Sequence, residues 1–376
     1  MSMPQFPVYR PRLTGRELEL VSDCLRSGWI SSKGPYINKF EQEFSRFVGV
    51  EHATAVCNGT VALHLALMAL GVASGDEVIV PTLTYVASVN AIIMCGAKPV
   101  FVDSDETTLQ MDVGAVKGAI TSRTKAVMAV HLYGHPCDLD RLTDLCRGAS
   151  VALVEDCAEA IGTRWRNRHV GTFGDVATFS FFGNKTITTG EGGMVVSRSE
   201  DLMKRARHLK GQGVSPTREY WHDVIGYNYR MTNVCAAIGC AQMEGIHAVL
   251  VRKREIADLY ARELATMGMN FHSEYGPAHN SYWMCCAVLP SREVRDAVRR
   301  ELALHGIETR PFFHPAHTLP MYTAMSRNGL FPVAERVSGR GVNLPSYPDL
   351  ADDDVRFICA RVKHAAAASR SVALTA

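Results

Sequence analysis

The stretch TFSFFGNK (Thr178–Lys185) joins an aromatic, apolar run to a turn, and TTGEGG (Thr188–Gly193) follows shortly after it. The apolar run predicts a strand that is covered on both faces, and the glycines predict a turn behind it. Lys185 is flanked by phenylalanine and glycine rather than by other charges. This setting suits an amine whose pKa is lowered by desolvation and which acts as a nucleophile. An ordinary solvated surface lysine is the alternative, and the segment alone leaves both interpretations open.

Further apolar runs surround this stretch on both sides. The predicted strands are Glu77–Val80, Pro99–Val102, Ala126–His131, Val151–Glu155, Ala177–Phe182 and Gly193–Val196. Helical patterns lie between several of them, at Thr60–Leu70, Ser88–Cys95 and Asp138–Arg147. Strands that alternate with helices predict an α/β fold in which a mostly parallel sheet has helices on both faces.

The pattern changes after Thr232. A long helix is predicted over Val234–Met267, with a break near Gly245. The remaining predicted elements are a strand at Tyr282–Leu289, a helix at Glu293–His305, a strand at Glu308–Pro311 and a final helix from Asp352. We therefore predict a large domain over residues 1–245 and a smaller α/β domain over residues 246–376. The first twenty or so residues could pack on either one.

The composition excludes several classes of protein. With 376 residues and a net charge of +2, the chain has no block of like charges, so neither nucleic-acid nor membrane-surface binding is expected. It has no run of eighteen apolar residues and no signal-peptide pattern at its N-terminus. Its eleven cysteines form no CxxC motif and predict reduced thiols, with no metal site. We expect a soluble cytoplasmic protein.

Two other signals combine with Lys185. Asn58-Gly59-Thr60 precedes a predicted helix, where free backbone N–H groups suit a phosphate, although a plain turn and cap has the same pattern. The run Glu155–Glu159 follows a buried strand and places carboxylates where α/β proteins bind ligands, although caps and ion pairs occur there too. A phosphate cradle, a carboxylate and a lysine together are what pyridoxal phosphate requires.

The chain is similar to the sugar aminotransferases named for their DegT, DnrJ, EryC and StrS members, which are fold-type I pyridoxal-phosphate enzymes. The similarity extends from Gly28–Ser32 to Asn343–Ser346, and the run FSFFGNKTITTGEGG (Phe179–Gly193) is highly specific for that family. The resemblance implies a large three-layer domain with a mostly parallel sheet and a smaller C-terminal α/β domain. It also implies pyridoxal 5′-phosphate as the cofactor, with pyridoxamine phosphate as its intermediate form.

By the same resemblance, Lys185 is the catalytic lysine that forms a Schiff base with the cofactor, and Asp156 pairs with the pyridinium nitrogen. Tyr85 would stack on the cofactor ring, and Asn228 would reach the phosphate of the neighbouring subunit, which makes a homodimer obligatory. The implied cofactor-binding residues are Gly59, Thr60, Tyr85, Asp156, Glu159, Ser180, Lys185 and Asn228.

The implied reaction moves an amino group from glutamate to C4 of a nucleotide-linked 4-keto-6-deoxy sugar, with GDP-4-keto-6-deoxymannose favoured. Such a product would serve polysaccharide synthesis, for example of an O-antigen. The implied sugar-nucleotide contacts are Trp29, Ser31, Arg310, His314 and His317. His135 stands where relatives commonly have glutamine, which leaves the exact sugar open.

Four alternatives remain at this point. The acceptor could be a dTDP- or UDP-linked keto sugar, or a keto-cyclitol. A non-catalytic cofactor-binding sensor of sugar nucleotides is another possibility, although every cofactor ligand is present. A dehydratase on the same scaffold would carry histidine at the position of Lys185, so the lysine argues against it.

Overall fold

The structure is a computed structural model that describes residues 5–267, 269–272, 274–326 and 329–375. The helices are α1 Arg16–Ser27, α2 Pro35–Val48, α3 Gly59–Ala69, α4 Val86–Met94, α5 Val113–Ala119, α6 Leu139–Ala149, α7 Glu200–Lys210, α8 Asn233–Leu264, α9 Arg292–Leu304, α10 Pro332–Arg340 and α11 Asp352–Thr375. The strands are β1 His52–Val56, β2 Glu77–Pro81, β3 Lys98–Val102, β4 Thr124–Val130, β5 Ala152–Asp156, β6 Arg164–Trp165, β7 Arg168–His169, β8 Val176–Ser180, β9 Gly193–Ser197, β10 Asn270–Phe271, β11 Ala278–His279, β12 Cys285–Val288, β13 Arg310–Pro311 and β14 Gly341–Leu344.

Seven strands form the main sheet, in the order β1-β9-β8-β5-β4-β2-β3. Strands β3, β2, β4, β5 and β8 pair in parallel, and β9 runs antiparallel to both β8 and β1. Consecutive side chains alternate between the two faces of a strand. Thus Val78 and Val80 join the core beneath α3 and α4, whereas Ile79 joins the core beneath α5 and α6. The predicted mostly parallel sheet with helices on both faces is confirmed.

Helix α8 corrects one prediction. We expected a break near Gly245, but α8 runs without interruption from Asn233 to Leu264. A glycine inside a helix costs only about 1 kcal/mol relative to alanine. The buried side chains of Cys240, Ile246 and Val249 on either side of Gly245 outweigh that cost through their packing.

A second, four-stranded sheet has the order β10-β12-β14-β13, and all its pairs are antiparallel. Helices α9 and α11 share a buried core with β12 and β14. The N-terminal segment joins this part of the chain, because Phe6 forms a parallel bridge with Ile307. The proposed domain boundary at residue 245 falls inside α8 and stays a prediction.

Within the described residues, one segment, Asn233–Met267, is long and apolar enough to cross a membrane. Its helix α8 packs against α1, α2 and α11. A core helix meets the same criteria of length and composition.

Candidate active site

A cleft of about 730 Å³ opens where the parallel strands end. Its lining residues come from both sheets, including β13 and β14 of the smaller one, and from the segments that join them. Its lining includes Asn58, Gly59, Thr60, Thr84, Tyr85, Ser88, Tyr133, Asp156, Glu159, Ser180, Phe182, Asn184, Lys185, Glu191, Trp283, Arg310, Phe312, Phe313, His314 and Asn343. The cleft therefore brings together residues that are up to 285 positions apart in the chain.

One end of the cleft is the N-terminus of α3. The side chain of Asn58 caps this helix by accepting the amide of Val61 at 3.0 Å. Gly59 follows, and a Cβ atom built there would lie 2.7 Å from the Cβ and 2.9 Å from the Oγ of Ser180. Only glycine fits at this point, because Ser180 at the end of β8 closes on the helix terminus. The first backbone amides of α3 and the hydroxyls of Thr60 and Ser180 therefore border one space, which suits a phosphate.

Asp156 is the last residue of β5 and is buried. Its Oδ2 atom accepts the hydroxyl of Ser88 at 2.7 Å, and its Oδ1 atom accepts the amide of Ala158 at 3.1 Å. Burial raises the pKa of Asp156, while the hydrogen bond from Ser88 opposes that rise. These two bonds hold the carboxylate in one orientation in the cleft, where it can face a cationic ring N–H.

Lys185 follows the β8 strand and lies beside Glu159, with 3.7 Å between its Nζ atom and Oε1. Burial lowers the pKa of the lysine, and Glu159 and Asp156 oppose this. Burial also raises the pKa of Glu159 to about 7, and Lys185 opposes that rise. The second oxygen of Glu159 accepts the amide of Tyr133 at 2.8 Å. When the pKa values of an amine and a carboxyl move toward each other, a proton passes between the two groups at a smaller cost in free energy.

Aromatic rings form another wall of the cleft. Tyr85 lies at the start of α4 with its ring centroid 5.5 Å from that of Phe313, and Phe313 lies 5.2 Å from Tyr133. The indole of Trp283 lies nearly parallel to the ring of Tyr133 at 6.2 Å. Among these residues, only Tyr85 was predicted from the sequence. The run HLYG (His131–Gly134), at the end of a predicted strand, is the signal that could have pointed to Tyr133.

Four of the sequence-predicted site residues do not line the cleft. Trp29 and Ser31 lie in an exposed turn after α1, and their carbonyls accept bonds from Asn233. Both ring nitrogens of His317 are engaged, by Thr82 at 2.6 Å and by Glu335 at 3.1 Å. Asn228 lies on a segment that bridges to Gly211. The roles of these four residues stay predictions.

His135 lies outside the cleft as well. It is buried, its ring stacks on that of His272 at 4.8 Å, and its Nδ1–H donates to the carbonyl of Pro136 at 2.8 Å. His135 therefore contributes to the packing behind the cleft and does not line its surface.

His131, Glu155 and Cys157 are the one cluster within the described ranges whose donor atoms are arranged closely enough for a metal. Glu155 already accepts the amides of Gly171, Phe173 and Gly174 and the Nε2–H of His131 at 2.7–3.0 Å. The other ring nitrogen of His131 accepts the amide of Cys137. Because these atoms are committed to internal hydrogen bonds, the cluster holds the ends of β4 and β5 in place next to Asp156.

The residues of the cleft fit pyridoxal phosphate. The confined helix terminus at Gly59 suits its phosphate, the oriented carboxylate of Asp156 suits its ring nitrogen, and the desolvated amine of Lys185 suits its aldehyde. These three positions were predicted from the sequence, and the fold brings them into a single space.

Comparison with known proteins identifies relatives over almost the whole chain. The family model of the DegT/DnrJ/EryC1/StrS aminotransferase family matches residues 11–363. The chain is 54% identical to the GDP-perosamine synthase of Escherichia coli O157:H7 over 357 residues, which cover 95% of this chain and 97% of the relative. It is also 54% identical to the GDP-perosamine synthase of Vibrio cholerae over 360 residues, with coverages of 95% and 98%.

Solved structures agree on the fold. The protein Spr1654 from Streptococcus pneumoniae, in its PMP form, superposes with a TM-score of 0.93 at 29% identity. The match covers 98% of this chain and 99% of that one. The PLP form of the same protein superposes with a TM-score of 0.91 over 96% of this chain and 98% of that one, also at 29% identity.

Proposed function

Because the chain belongs to the DegT/DnrJ/EryC1/StrS aminotransferase family, we propose that it transfers an amino group from glutamate to C4 of GDP-4-keto-6-deoxymannose and so makes GDP-perosamine. The observation that carries this proposal is the meeting of Lys185, Asp156 and the helix terminus at Gly59 in one cleft. The full-length identity of 54% to two GDP-perosamine synthases supports the sugar nucleotide.

The cofactor of this reaction is pyridoxal phosphate, which supplies an aldehyde for the migrating amine and a ring that withdraws electrons from the carbon that loses a proton. Gly59, Thr60 and Ser180 would bind its phosphate through backbone amides and hydroxyls. Asp156 would keep its ring nitrogen protonated, because a buried carboxylate stabilises a cation in contact with it. Tyr85 lines the cleft where its ring can cover a flat ligand.

Lys185 is the proposed base and acid for the proton on Cα of the amino-acid donor. With the cofactor bound, the free amine of Lys185 would take the proton from Cα of the amino-acid donor as a base and would return it as an acid. Burial lowers the pKa of Lys185, which increases the fraction of neutral amine that can act as a base. Glu159 lies 3.7 Å away and can hold a proton of its own, because burial raises its pKa to about 7.

Arg310 and His314 line the same cleft and are the candidates for contacts with the sugar nucleotide. The guanidinium of Arg310 now pairs with Glu308 at 3.2 Å and is half exposed. A guanidinium matches a diphosphate in charge and in its paired N–H groups. We expect Arg310→Ala to raise the KM for the sugar nucleotide while leaving the half-reaction with glutamate unchanged.

We further infer a homodimer in which Asn228 serves the neighbouring subunit. Asn228 does not line the cleft of its own chain. Its Oδ1 atom accepts two bonds from the guanidinium of Arg230, at 3.0 and 3.3 Å, which leaves the amide NH₂ as the donor for a phosphate. The same segment exposes Tyr220 at 96% and Ile225 at 87%, and such apolar exposure favours a subunit contact.

The cytoplasm is the compartment that this proposal requires, because nucleotide sugars and glutamate are available there. All eleven cysteines are free thiols, which agrees with a reducing environment.

The deciding experiment incubates purified protein with pyridoxal phosphate, glutamate and GDP-4-keto-6-deoxymannose, followed by mass spectrometry of the sugar nucleotide. The expected result is the 4-amino sugar with an equal amount of 2-oxoglutarate, and none with Lys185→Ala. Conversion of a dTDP- or UDP-linked keto sugar instead would overturn the substrate assignment and keep the aminotransferase. A protein that binds the cofactor but releases no 2-oxoglutarate with any acceptor would be a sensor, and full activity in Lys185→Ala would refute the site.

A further inference from the structure

Trp283 touches the catalytic amine although it lies almost a hundred residues further along the chain. Its indole ring lines the cleft, and the Nζ atom of Lys185 is 3.8 Å from the ring centroid. The side chain is 3% exposed, so the contact is shielded from water. A desolvated ammonium over the face of an indole is a cation–π pair, which is stronger for tryptophan than for the other aromatic residues.

The ring is held in this position by several contacts. Its Nε1–H donates to the carbonyl of Asn184, the residue before Lys185, at 2.8 Å. The backbone before it is fixed by the amide of Ser281, which donates to the carbonyl of Gly134 at 3.2 Å. Gly134 has φ +101°, and a Cβ atom there would lie 2.8 Å from the amide nitrogen of Trp283. The close approach of this segment therefore requires glycine at position 134.

The indole differs from the other groups that face the amine. Glu159 and Asp156 are the titratable groups that act on Lys185, and either one can take up a proton. When Glu159 becomes protonated, its attraction for the ammonium is lost. The face of Trp283 carries no titratable proton, so its attraction for the ammonium is independent of pH. It also forms no hydrogen bond that the amine would have to break before moving.

We propose that Trp283 is a positioning residue that holds the Lys185 amine over its ring once this amine, free of the cofactor, has taken up a proton. The inference rests on the proposed function, because the transfer of an amino group leaves Lys185 free for half of each cycle. A held ammonium stays within reach of the cofactor and keeps the proton that it has taken. The indole thereby raises the pKa of the free lysine, against the effect of burial.

The test measures the pKa of Lys185 directly. Apoenzyme is mixed with saturating pyridoxal phosphate, and the absorbance of the lysine-bound cofactor is followed from pH 6 to pH 10. The neutral amine condenses with the aldehyde and releases water, so the rate rises with pH and its midpoint reports the pKa of the lysine. Replacing Trp283 by leucine would also admit water to the site. The attraction of the indole ring for the ammonium is therefore weakened at nearly constant ring size, by incorporating tryptophans with one to four fluorine atoms.

We expect the midpoint to fall stepwise with the number of fluorine atoms, by about half a unit to one unit in total. In Trp283→Phe the midpoint should no longer depend on the number of fluorine atoms. If Trp283→Phe does not fold, Trp283→Tyr replaces it. In Trp165→Phe and Trp221→Phe, which leave Trp283 fluorinated, the dependence should persist. The proposal would be overturned if the midpoint of the wild-type protein did not change with fluorination, or if the midpoint of Trp283→Phe still did.

This measurement uses neither glutamate nor a sugar nucleotide. A wrong sugar assignment would leave it unchanged. If Lys185→Ala gave the same absorbance change, the cofactor site itself would be wrong, and the two failures are thus distinguishable.

Discussion

The hydroxyl of Tyr9 donates to the carbonyl oxygen of Lys185 at 2.7 Å, and it approaches the carbonyl of Thr186 at 3.3 Å. The ring of Tyr9 in turn lies 5.0 Å from the ammonium of Lys253, a fully buried lysine that donates to the carbonyl of Ser346 at 2.7 Å. The N-terminal segment thus connects the backbone of Lys185 to the loop after β14. Such a connection limits how far the Cα atom of Lys185 can move while its amine works.

Removing the hydroxyl of Tyr9 should therefore impair the chemical step more than the fold. Tyr9→Phe keeps the ring over Lys253 and deletes one hydrogen bond worth about 0.5–1.5 kcal/mol. We expect kcat to fall by up to about tenfold with little change in the KM for glutamate. Steady-state kinetics check this, with Tyr36→Phe as the control, because the hydroxyl of Tyr36 bonds Asp23 on the surface instead. Equal kcat values in the two variants would contradict the role given to Tyr9.

Adding one methyl group at Gly59 should damage the phosphate end of the cleft. In Gly59→Ala the new Cβ atom meets Ser180 at 2.7 Å, which costs about 1–3 kcal/mol and pushes the serine from its place. We expect a weaker affinity for pyridoxal phosphate in a spectroscopic titration. The double change Gly59→Ala with Ser180→Gly should recover stability but not affinity, because the hydroxyl is lost.

Gly118→Ala is the matched control. Gly118 lies inside α5, and nothing lies within 4 Å of an added Cβ atom there. The change should leave the affinity for the cofactor unchanged and stabilise the helix by up to about 1 kcal/mol. If both alanine variants bound the cofactor alike, Gly59 would have no special place in the site.

Glu159 should make the stability of the apoenzyme depend on pH. Burial raises its pKa to about 7 in the folded state, from 4.5 in the unfolded chain. Between these two values the folded protein holds a proton that the unfolded chain has lost, so the free energy of unfolding falls as the pH rises from 4.5 to 7 and levels off above 7. Glu159→Gln keeps this position neutral at every pH. We expect the free energy of unfolding of the variant, relative to that of the wild type, to rise by about 2 kcal/mol between pH 5 and pH 8.

Urea denaturation of both apoenzymes at several pH values measures this difference. The exposed Glu219 provides the control, because Glu219→Gln should follow the wild type throughout. A constant difference between Glu159→Gln and the wild type at all pH values would show that Glu159 is ionised in the folded apoenzyme.

His272 should make the protein less stable as the pH falls, which is opposite to the effect of Glu159. Burial lowers its pKa from 6.5 to about 3, and His135 stacked upon it adds to this. The unfolded chain then binds a proton that the folded protein excludes, so stability that is present above pH 6.5 is lost as the pH falls toward 3. At pH 5 the loss amounts to about 2 kcal/mol.

His272→Gln removes this group, and its stability should change less than that of the wild type between pH 7 and pH 5. The control His364→Gln alters an exposed histidine on α11. Identical pH profiles for the wild type and His272→Gln in urea denaturation would mean that His272 is protonated inside the folded protein.

Local patterns were sufficient to predict much of the fold. The run Glu77–Val80 became β2 at Glu77–Pro81, and the helix expected at Thr60–Leu70 became α3 at Gly59–Ala69. Strands that are covered on both faces must be apolar throughout, so they can be recognised without knowledge of their neighbours. The predicted helix break near Gly245 was wrong. The helix propensity of glycine, about 1 kcal/mol, is a local quantity, whereas the packing that outweighs it depends on residues distant in the chain.

The sequence by itself determined which residues to expect in the cleft: Lys185 in its aromatic and glycine-rich setting, Asp156 at the end of a strand, and Gly59 before a helix. Each of them is recognisable because its backbone neighbours create its environment. Only the tertiary structure decided that Trp283 faces the amine, that Tyr9 holds the carbonyl of Lys185 and that His135 packs away from the cleft. These contacts join Lys185 to Trp283, Lys185 to Tyr9 and His135 to His272, which are 98, 176 and 137 positions apart in the chain. No local pattern encodes them, because they depend on how the strands and helices pack together.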